Sequence, residues 1–155
     1  MSLAIFSLRP HHSQELSSLL QSERAEYVQY FTPFPFDVAS LEMRLASAKR
    51  DRYWGIRWED NIVGFFMLRG FDEGYERPSF GIVISEAYSC FGLGKLALYY
   101  SLSWSRLSKI KAVMLKVHPD NLIARRMYEQ AGFQFLEICE ESGQRVYEIR
   151  WEPNE

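Results

Sequence analysis

Two stretches of the chain carry residues whose types and spacing suit group transfer. The first is Gly92-Leu93-Gly94-Lys95, which follows the apolar run Phe80–Ser85 and opens a helical pattern. A glycine-rich turn from strand into helix lets several backbone N–H groups converge on a phosphate. Glycine removes the β-carbon, and the helix start adds roughly half a positive charge. Phe91 to Lys95 are therefore expected to donate mainly through main chain, with the Lys95 side chain as an extra phosphate contact. The second stretch places Asn121, Tyr128 and Gly132-Phe133 on or beside a helix that follows the strand Ala112–Val117. A phenol of pKa about 10 is protonated at neutral pH and can donate near the same strand ends. Together they suggest a nucleotide-linked donor and a group transfer. Each has a plainer reading beside it. Two glycines can simply make a tight connection, Tyr128 can be a half-buried helix residue beside Met127 and Phe133, and Asn121 can belong to the turn Pro119-Asp120-Asn121.

The chain that must position these groups has 155 residues, with 47% hydrophobic, 25% charged and 15% aromatic residues and a formal net charge of −2. That length suits one domain, residues 1–155, with a real core. The charge selects for neither nucleic acid nor an anionic membrane. Cys90 and Cys139 lie far apart without metal-type spacing, and no stretch approaches the roughly 20 apolar residues of a membrane span. The expectation is a soluble, cytoplasmic protein with reduced thiols and no bound metal.

Periodicity supplies the elements. Leu3–Leu8 reads as a first strand. Ser13 is placed to cap a helix running to about Tyr30, and Asp37 to cap a second one with Val38, Leu41, Leu45 and Ala48 at helical spacing. Arg52–Trp58 and Ile62–Arg69 form a hairpin pattern with Trp54, Ile56 and Trp58 on one face. A helix from Leu93 to Leu107 carries the stripe Leu93, Leu96, Tyr100, Trp104 and Leu107, which places Tyr99, Tyr100 and Trp104 in the core. The strand Ala112–Val117, a helix Leu122–Ala131 and a closing hairpin about Ser142-Gly143 complete the order. Early antiparallel strands with one helical crossover predict an α+β fold: a mixed, mostly antiparallel sheet of about seven strands with helices on both faces.

With those elements in place, the chain resembles the GCN5-related N-acetyltransferase family over nearly its whole length, most sharply from Ile62 to Phe133. Gly92-Leu-Gly94 occupies the glycine positions of the family's Gln/Arg-x-x-Gly-x-Gly/Ala loop. Asn121, Ala124, Tyr128 and Gly132-Phe133 match its Asn-x-x-Ala-x-x-x-Tyr-x-x-x-Gly-Phe signature. Ile62-Val-Gly64 is similar to its third strand and Ile82-Val83-Ile84 to its fourth. The resemblance implies acetyl-CoA as donor substrate, its pantetheine arm along Ile82–Ile84, its pyrophosphate at Ser89 and Phe91–Lys95, and its amide near Asn121. It further implies Tyr128 as proton donor to the departing thiolate, and N–H groups near Val83 and Ile84 as oxyanion donors. Ser89, Cys90 and Phe91 depart from the family pattern, so the loop keeps its glycines and loses a charge.

The general base is not assigned. The stretch where many relatives carry a carboxylate holds Lys116 and His118 here; Glu73, Glu76 and Glu86 lie near the fourth strand, and ordered water can serve instead. His11-His12 reads as exposed, Arg125-Arg126 as a solvated helix face, and Cys90 as a small buried hydrophobe. The segment Tyr30–Phe36, with three phenylalanines and two prolines, reads either as a rigid acceptor wall with few ionic groups or as core filling. The expected function is direct acetyl transfer to a primary amine of a small molecule such as an amino sugar, metabolite or drug. Two competing expectations are a non-enzymatic acyl-CoA-binding regulatory module and a protein N-terminal acetyltransferase. The latter requires an open groove between Phe31–Phe36 and Glu140–Gln144. A homodimer is left open.

Overall fold

A computed structural model gives the structure of the chain. It describes residues 1–31 and 33–151, so Thr32 of the aromatic segment lies outside the described residues. The elements are β1 (Leu3–Ser7), α1 (Ser13–Ser22), α2 (Ala25–Val28), α3 (Val38–Ser47), β2 (Arg52–Trp58), β3 (Asn61–Arg69), β4 (Ser79–Ile84), α4 (Leu93–Leu107), β5 (Ala112–Val117), α5 (Leu122–Gln130), β6 (Gln134–Ile138) and β7 (Arg145–Arg150). They build a seven-stranded sheet of order β1-β2-β3-β4-β5-β7-β6, antiparallel throughout except where β4 meets β5. The expected mixed, mostly antiparallel sheet is the one observed.

Alternation in the strands builds two cores. Trp54, Ile56, Val63, Phe66, Leu68 and Phe80 face α4 and α5, joined by Val113, Leu115, Tyr128 and Phe133. Tyr53, Ile62, Phe65, Met67 and Val83 face α1 and α3, meeting Leu16, Leu20, Leu41 and Leu45. Phe31, Phe34 and Phe36 pack against this second core.

The parallel pair positions the site. β4 and β5 share one register position, Ser79 with Met114, where the Met114 N–H donates to the Pro78 carbonyl at 2.9 Å. Beyond it no pairing continues among the described residues, so the C-terminal halves of these central strands part and leave main-chain groups facing a gap.

Three expectations change. The helix from Ser13 to Tyr30 is broken, because Glu23 and Arg24 are extended with ψ of 147° and 140°. The Glu23 carboxylate accepts from the Glu86 N–H at 3.2 Å, and Arg24 clamps the Glu86 carboxylate, so contacts from the end of β4 override helix propensity. His12 holds the N-cap position, while the Ser13 hydroxyl donates to the Pro10 carbonyl at 2.6 Å.

On α4 the buried face is Ala97, Leu98, Ser101, Leu102 and Ser105, with Tyr99 43%, Tyr100 38% and Leu107 83% exposed. Small residues let the helix approach the sheet, so the large side chains stand at the rim. Tyr100 there meets Trp54 and Phe66 edge-on, and Trp104 is half-buried against the same core. Asp37 behaves as expected, its carboxylate accepting from the Ser40 N–H at 3.0 Å.

Candidate active site

The gap is built from hydrogen-bond parity. In antiparallel pairing, alternate residues direct both N–H and C=O to the same neighbour. The Ser85 N–H donates to the Val63 carbonyl at 2.8 Å, so Val83, two residues back and opposite Phe65, also faces β3. Ile82 and Ile84 then face away from β3, on the side where Pro78 is already bound to β5. Their N–H groups are the ones that look into the gap. Val83 instead turns its main chain to β3 and its side chain into the α1–α3 core, so it is not brought to the gap. The Ile84 carbonyl on the gap side accepts from the Tyr27 hydroxyl at 2.6 Å. Burial, with Glu23 and Glu86 nearby, pushes the Tyr27 phenol up and keeps it a donor.

At the head of α4, Gly92 has φ +85°, a conformation costly for any residue with a side chain, and a β-carbon there would meet nothing within 4 Å. No side chain caps this helix, and its first intrahelical bond runs from Leu96 N–H to the Gly92 carbonyl at 3.0 Å. The N–H groups of Leu93, Gly94 and Lys95 therefore lack intrahelical acceptors and point out of the helix mouth. Leu93 is half-buried, and Phe91 is 75% exposed. Lys95 lies over the Tyr99 ring at 6.0 Å. A β-carbon on Gly94 would touch the Met127 sulfur at 3.6 Å, an ordinary contact between α4 and α5.

Ser89 is placed differently from its expected role. Its hydroxyl and its N–H both donate to the Glu86 carbonyl, at 2.7 and 3.1 Å, closing a turn and leaving neither for a phosphate. Cys90 is exposed at φ +67°, not buried as its hydrophobicity suggests, because it sits in the left-handed corner of that turn. Asn121 caps α5, its side-chain carbonyl accepting from the Ala124 N–H at 3.4 Å, as the turn reading has it.

Tyr128 is 7% exposed on α5, within the core that faces α4 and α5. Its ring meets Phe80 edge-on with centroids 6.3 Å apart and lies 5.9 Å from Phe133. Burial pushes its phenol well above the ordinary tyrosine range, which keeps it protonated.

Phe80 also lines a cavity of about 540 Å³ between Tyr30-Phe31 and Gln144, whose wall includes Ser79 and Gly81 of β4 and Met114 and Lys116 of β5. Gly81 makes the cavity wall fit: a β-carbon there would come within 2.9 Å of the Phe31 ring and 2.6 Å of the Met67 methyl. Of the described residues in the aromatic segment only Tyr30, Phe31 and Pro33 line it, while Phe34 and Phe36 fill the α1–α3 core; the lining is also ionic, with Arg69, Glu73, Arg77 and Lys116. Arg69 and Arg77 had no sequence signal, since their convergence depends on which sheet face α1 and α3 leave uncovered.

The base candidates separate. Hydrogen bonding to the Arg24 guanidinium holds Glu86 below the usual carboxylate range, which makes it a poor base. His118 stacks on Tyr30 with centroids 4.3 Å apart, and its Nδ1 accepts from the Asp120 N–H at 3.2 Å. Glu73 lines the cavity while Glu76 is exposed outside that lining. Among the described residues no three His, Cys, Asp or Glu side chains gather as metal ligands do.

Comparison with known proteins agrees with this geometry. The model of the acetyltransferase (GNAT) family matches residues 16–133. A spermine/spermidine N(1)-acetyltransferase of Bacillus subtilis is 32% identical over 119 residues, covering 70% of this chain and 78% of the relative. Among solved structures, a PaiA N-acetyltransferase from Thermoplasma acidophilum in complex with coenzyme A superposes with TM-score 0.78 at 16% identity, covering 97% of this chain and 100% of that one. The spermidine N-acetyltransferase of Vibrio cholerae in complex with CoA and spermine gives TM-score 0.78 at 18% identity, covering 96% and 95%. The chain belongs to the acetyltransferase (GNAT) family and is an acetyl-CoA-dependent N-acetyltransferase.

Proposed function

We propose that the enzyme transfers acetyl directly from acetyl-CoA to a primary amine of a small molecule, with the donor threaded through the β4–β5 gap and the acceptor in the 540 Å³ cavity. The observation that carries this reading is the position of Phe80, which borders the cavity on one side and Tyr128 on the other. The amine class is further supported by the polyamine acetyltransferase relative.

In this reading the N–H groups of Leu93, Gly94 and Lys95 hold the pyrophosphate, with Phe91 and Gly92 shaping the approach. The outward main chain of Ile82 and Ile84 lies along the pantetheine arm. The neutral amine nitrogen attacks the thioester carbonyl carbon, and the oxyanion is met by the gap-facing N–H of Ile82 or Ile84. The C–S bond then breaks as the amide forms. Because burial raises Tyr128 above a thiol's pKa of about 8.5, the phenol serves sulfur chiefly as a hydrogen-bond donor. The proton that coenzyme A finally carries balances the one the amine loses to water. Asn121, engaged as a helix cap, would meet the donor only through its side-chain NH₂. Two unpaired thiols suit a cytoplasmic location, which belongs to the same proposal.

The cavity reaches from Phe31 to Gln144, the two borders that an N-terminal acetyltransferase groove would use. Incubating the enzyme with acetyl-CoA and a panel of small amines and short peptides separates these readings. Thiol release matched by one acetyl on a small amine is expected. Release with peptides alone would favour the N-terminal reading, and donor binding without release would favour the regulatory module.

A further inference from the structure

The charges lining the cavity narrow the acceptor, on the reading above that a small amine binds there. Three cations, Arg69, Arg77 and Lys116, line it against one carboxylate, Glu73. Two of the three have no ion pair among the described residues: Lys116, exposed on β5, and Arg69. Arg69 sits over the Phe34 ring at 5.4 Å, and its Nη1 is buried with no hydrogen-bond partner among the described residues. That nitrogen is closed to solvent, but Arg69 as a residue is half-buried and lines the cavity, with no carboxylate among the described residues to neutralise it.

Arg77 does pair with Glu148, but Glu148 also accepts two bonds from Arg150, at 3.1 and 3.2 Å. One carboxylate thus serves two guanidiniums, and the positive charge of Arg77 is incompletely matched. An amine carrying several positive charges would meet net repulsion here. An amine that also bears an oxyanion would find guanidinium forks and an ammonium already converging, which suit carboxylate and phosphate alike.

We propose that the acceptor is a small primary amine bearing a carboxylate or phosphate, which Arg69, Arg77 and Lys116 hold while the amine faces the β4–β5 gap. Donor binding is expected not to depend on these three residues, because the helix mouth and the Ile82 and Ile84 main chain lie outside the cavity lining, although Ser79 to Gly81 of the same strand form part of it. The transfer step itself is the one given above.

The test is a thiol-release assay with four arms. The first holds amino acids, the second glucosamine 6-phosphate and phosphoethanolamine, the third glucosamine and ethanolamine, and the fourth spermidine and spermine. In one or both anionic arms, kcat/KM is expected to exceed that of the neutral counterparts by about tenfold or more, the scale of one charge-assisted hydrogen bond. Which arm leads tells carboxylate from phosphate. Lys116→Met, a change at an exposed side chain, should raise KM for the anionic acceptor severalfold while leaving KM for acetyl-CoA within about twofold. Equal rates for glucosamine and its 6-phosphate with inactive amino acids, or a clear preference for spermidine, would overturn the inference and leave the small-amine reading standing. Silence in all four arms would overturn both.

Discussion

The Tyr27 hydroxyl donates to the Ile84 carbonyl at 2.6 Å, joining the short helix α2 to the strand edge that faces the gap. With Arg24 on Glu86 and Glu23 on the Glu86 N–H, it is the third contact fastening the α1–α2 junction to the end of β4. The same junction leads into Tyr30-Phe31, so one set of bonds sets the cavity wall relative to the donor strand. Tyr27→Phe removes one such bond, worth about 1 kcal/mol. We expect Tm to fall by roughly 2–4 °C and acceptor KM to rise. Thermal unfolding with steady-state kinetics checks this; an unchanged Tm together with unchanged kinetics would show that the bond positions nothing.

Gly81 permits Phe31 to lie on the sheet. A methyl group added at this position must displace the Phe31 ring or the Met67 methyl, since both lie closer than side chains normally approach. The strain is about 1–3 kcal/mol, with the mobile Met67 end taking part of it. Gly81→Ala is expected to lower kcat/KM for the acceptor about tenfold and to leave the acetyl-CoA dissociation constant within about twofold. Titration calorimetry of the donor beside acceptor kinetics separates the two effects. Equal losses for donor and acceptor would contradict the division of the site into gap and cavity.

Three carboxylates give stability a defined dependence on pH. Backbone N–H groups of Lys49 and Arg50 hold Asp72 below the usual range, hydrogen bonds from Ser40 do so for Asp37, and Arg24 does so for Glu86. A group whose pKa is lower folded than unfolded stabilises the fold above its unfolded pKa, and that contribution fades as pH falls through the folded value. Tm should therefore be nearly level from about pH 8 to pH 6 and decline below about pH 4.5. Asp72→Asn should lower Tm at neutral pH and reduce the acid slope. Tyr128 works in the other direction: its raised pKa places any loss above about pH 10, so it adds nothing to the acid limb. Calorimetric scans across this range test both statements.

Much of the fold is legible in the sequence because its signals are local. The helix α4 occupies Leu93–Leu107 as expected, since the αL glycine at its head and the apolar period both lie within the segment. The β2–β3 hairpin and the Asp37 cap are legible for the same reason. What escapes depends on residues far apart in sequence. The break after Ser22 answers to Glu86, more than sixty positions away, and no local pattern reports such a contact. The buried face of α4 differs from the expected stripe because bulk alone suggests core, whereas small residues allow the close approach. In the site, the glycines and Tyr128 are visible as types at a spacing. The parity that turns Ile82 and Ile84 but not Val83 to the gap needs the β3 register, and the cations of the cavity need the topology.

The central claim is that Tyr128 attends the departing sulfur without helping to bind the donor. Tyr128→Phe keeps the ring between Phe80 and Phe133 and removes only the hydroxyl. A hydrogen bond to a forming anion is worth about 1.5–3 kcal/mol, so kcat should fall roughly 10- to 100-fold. Single-turnover acetyl transfer, measured with acetyl-CoA affinity on the same preparation, is the most direct test. A fallen rate with donor affinity unchanged within about twofold is the result this mechanism requires. An unchanged rate, or a loss carried wholly by donor affinity, would contradict it.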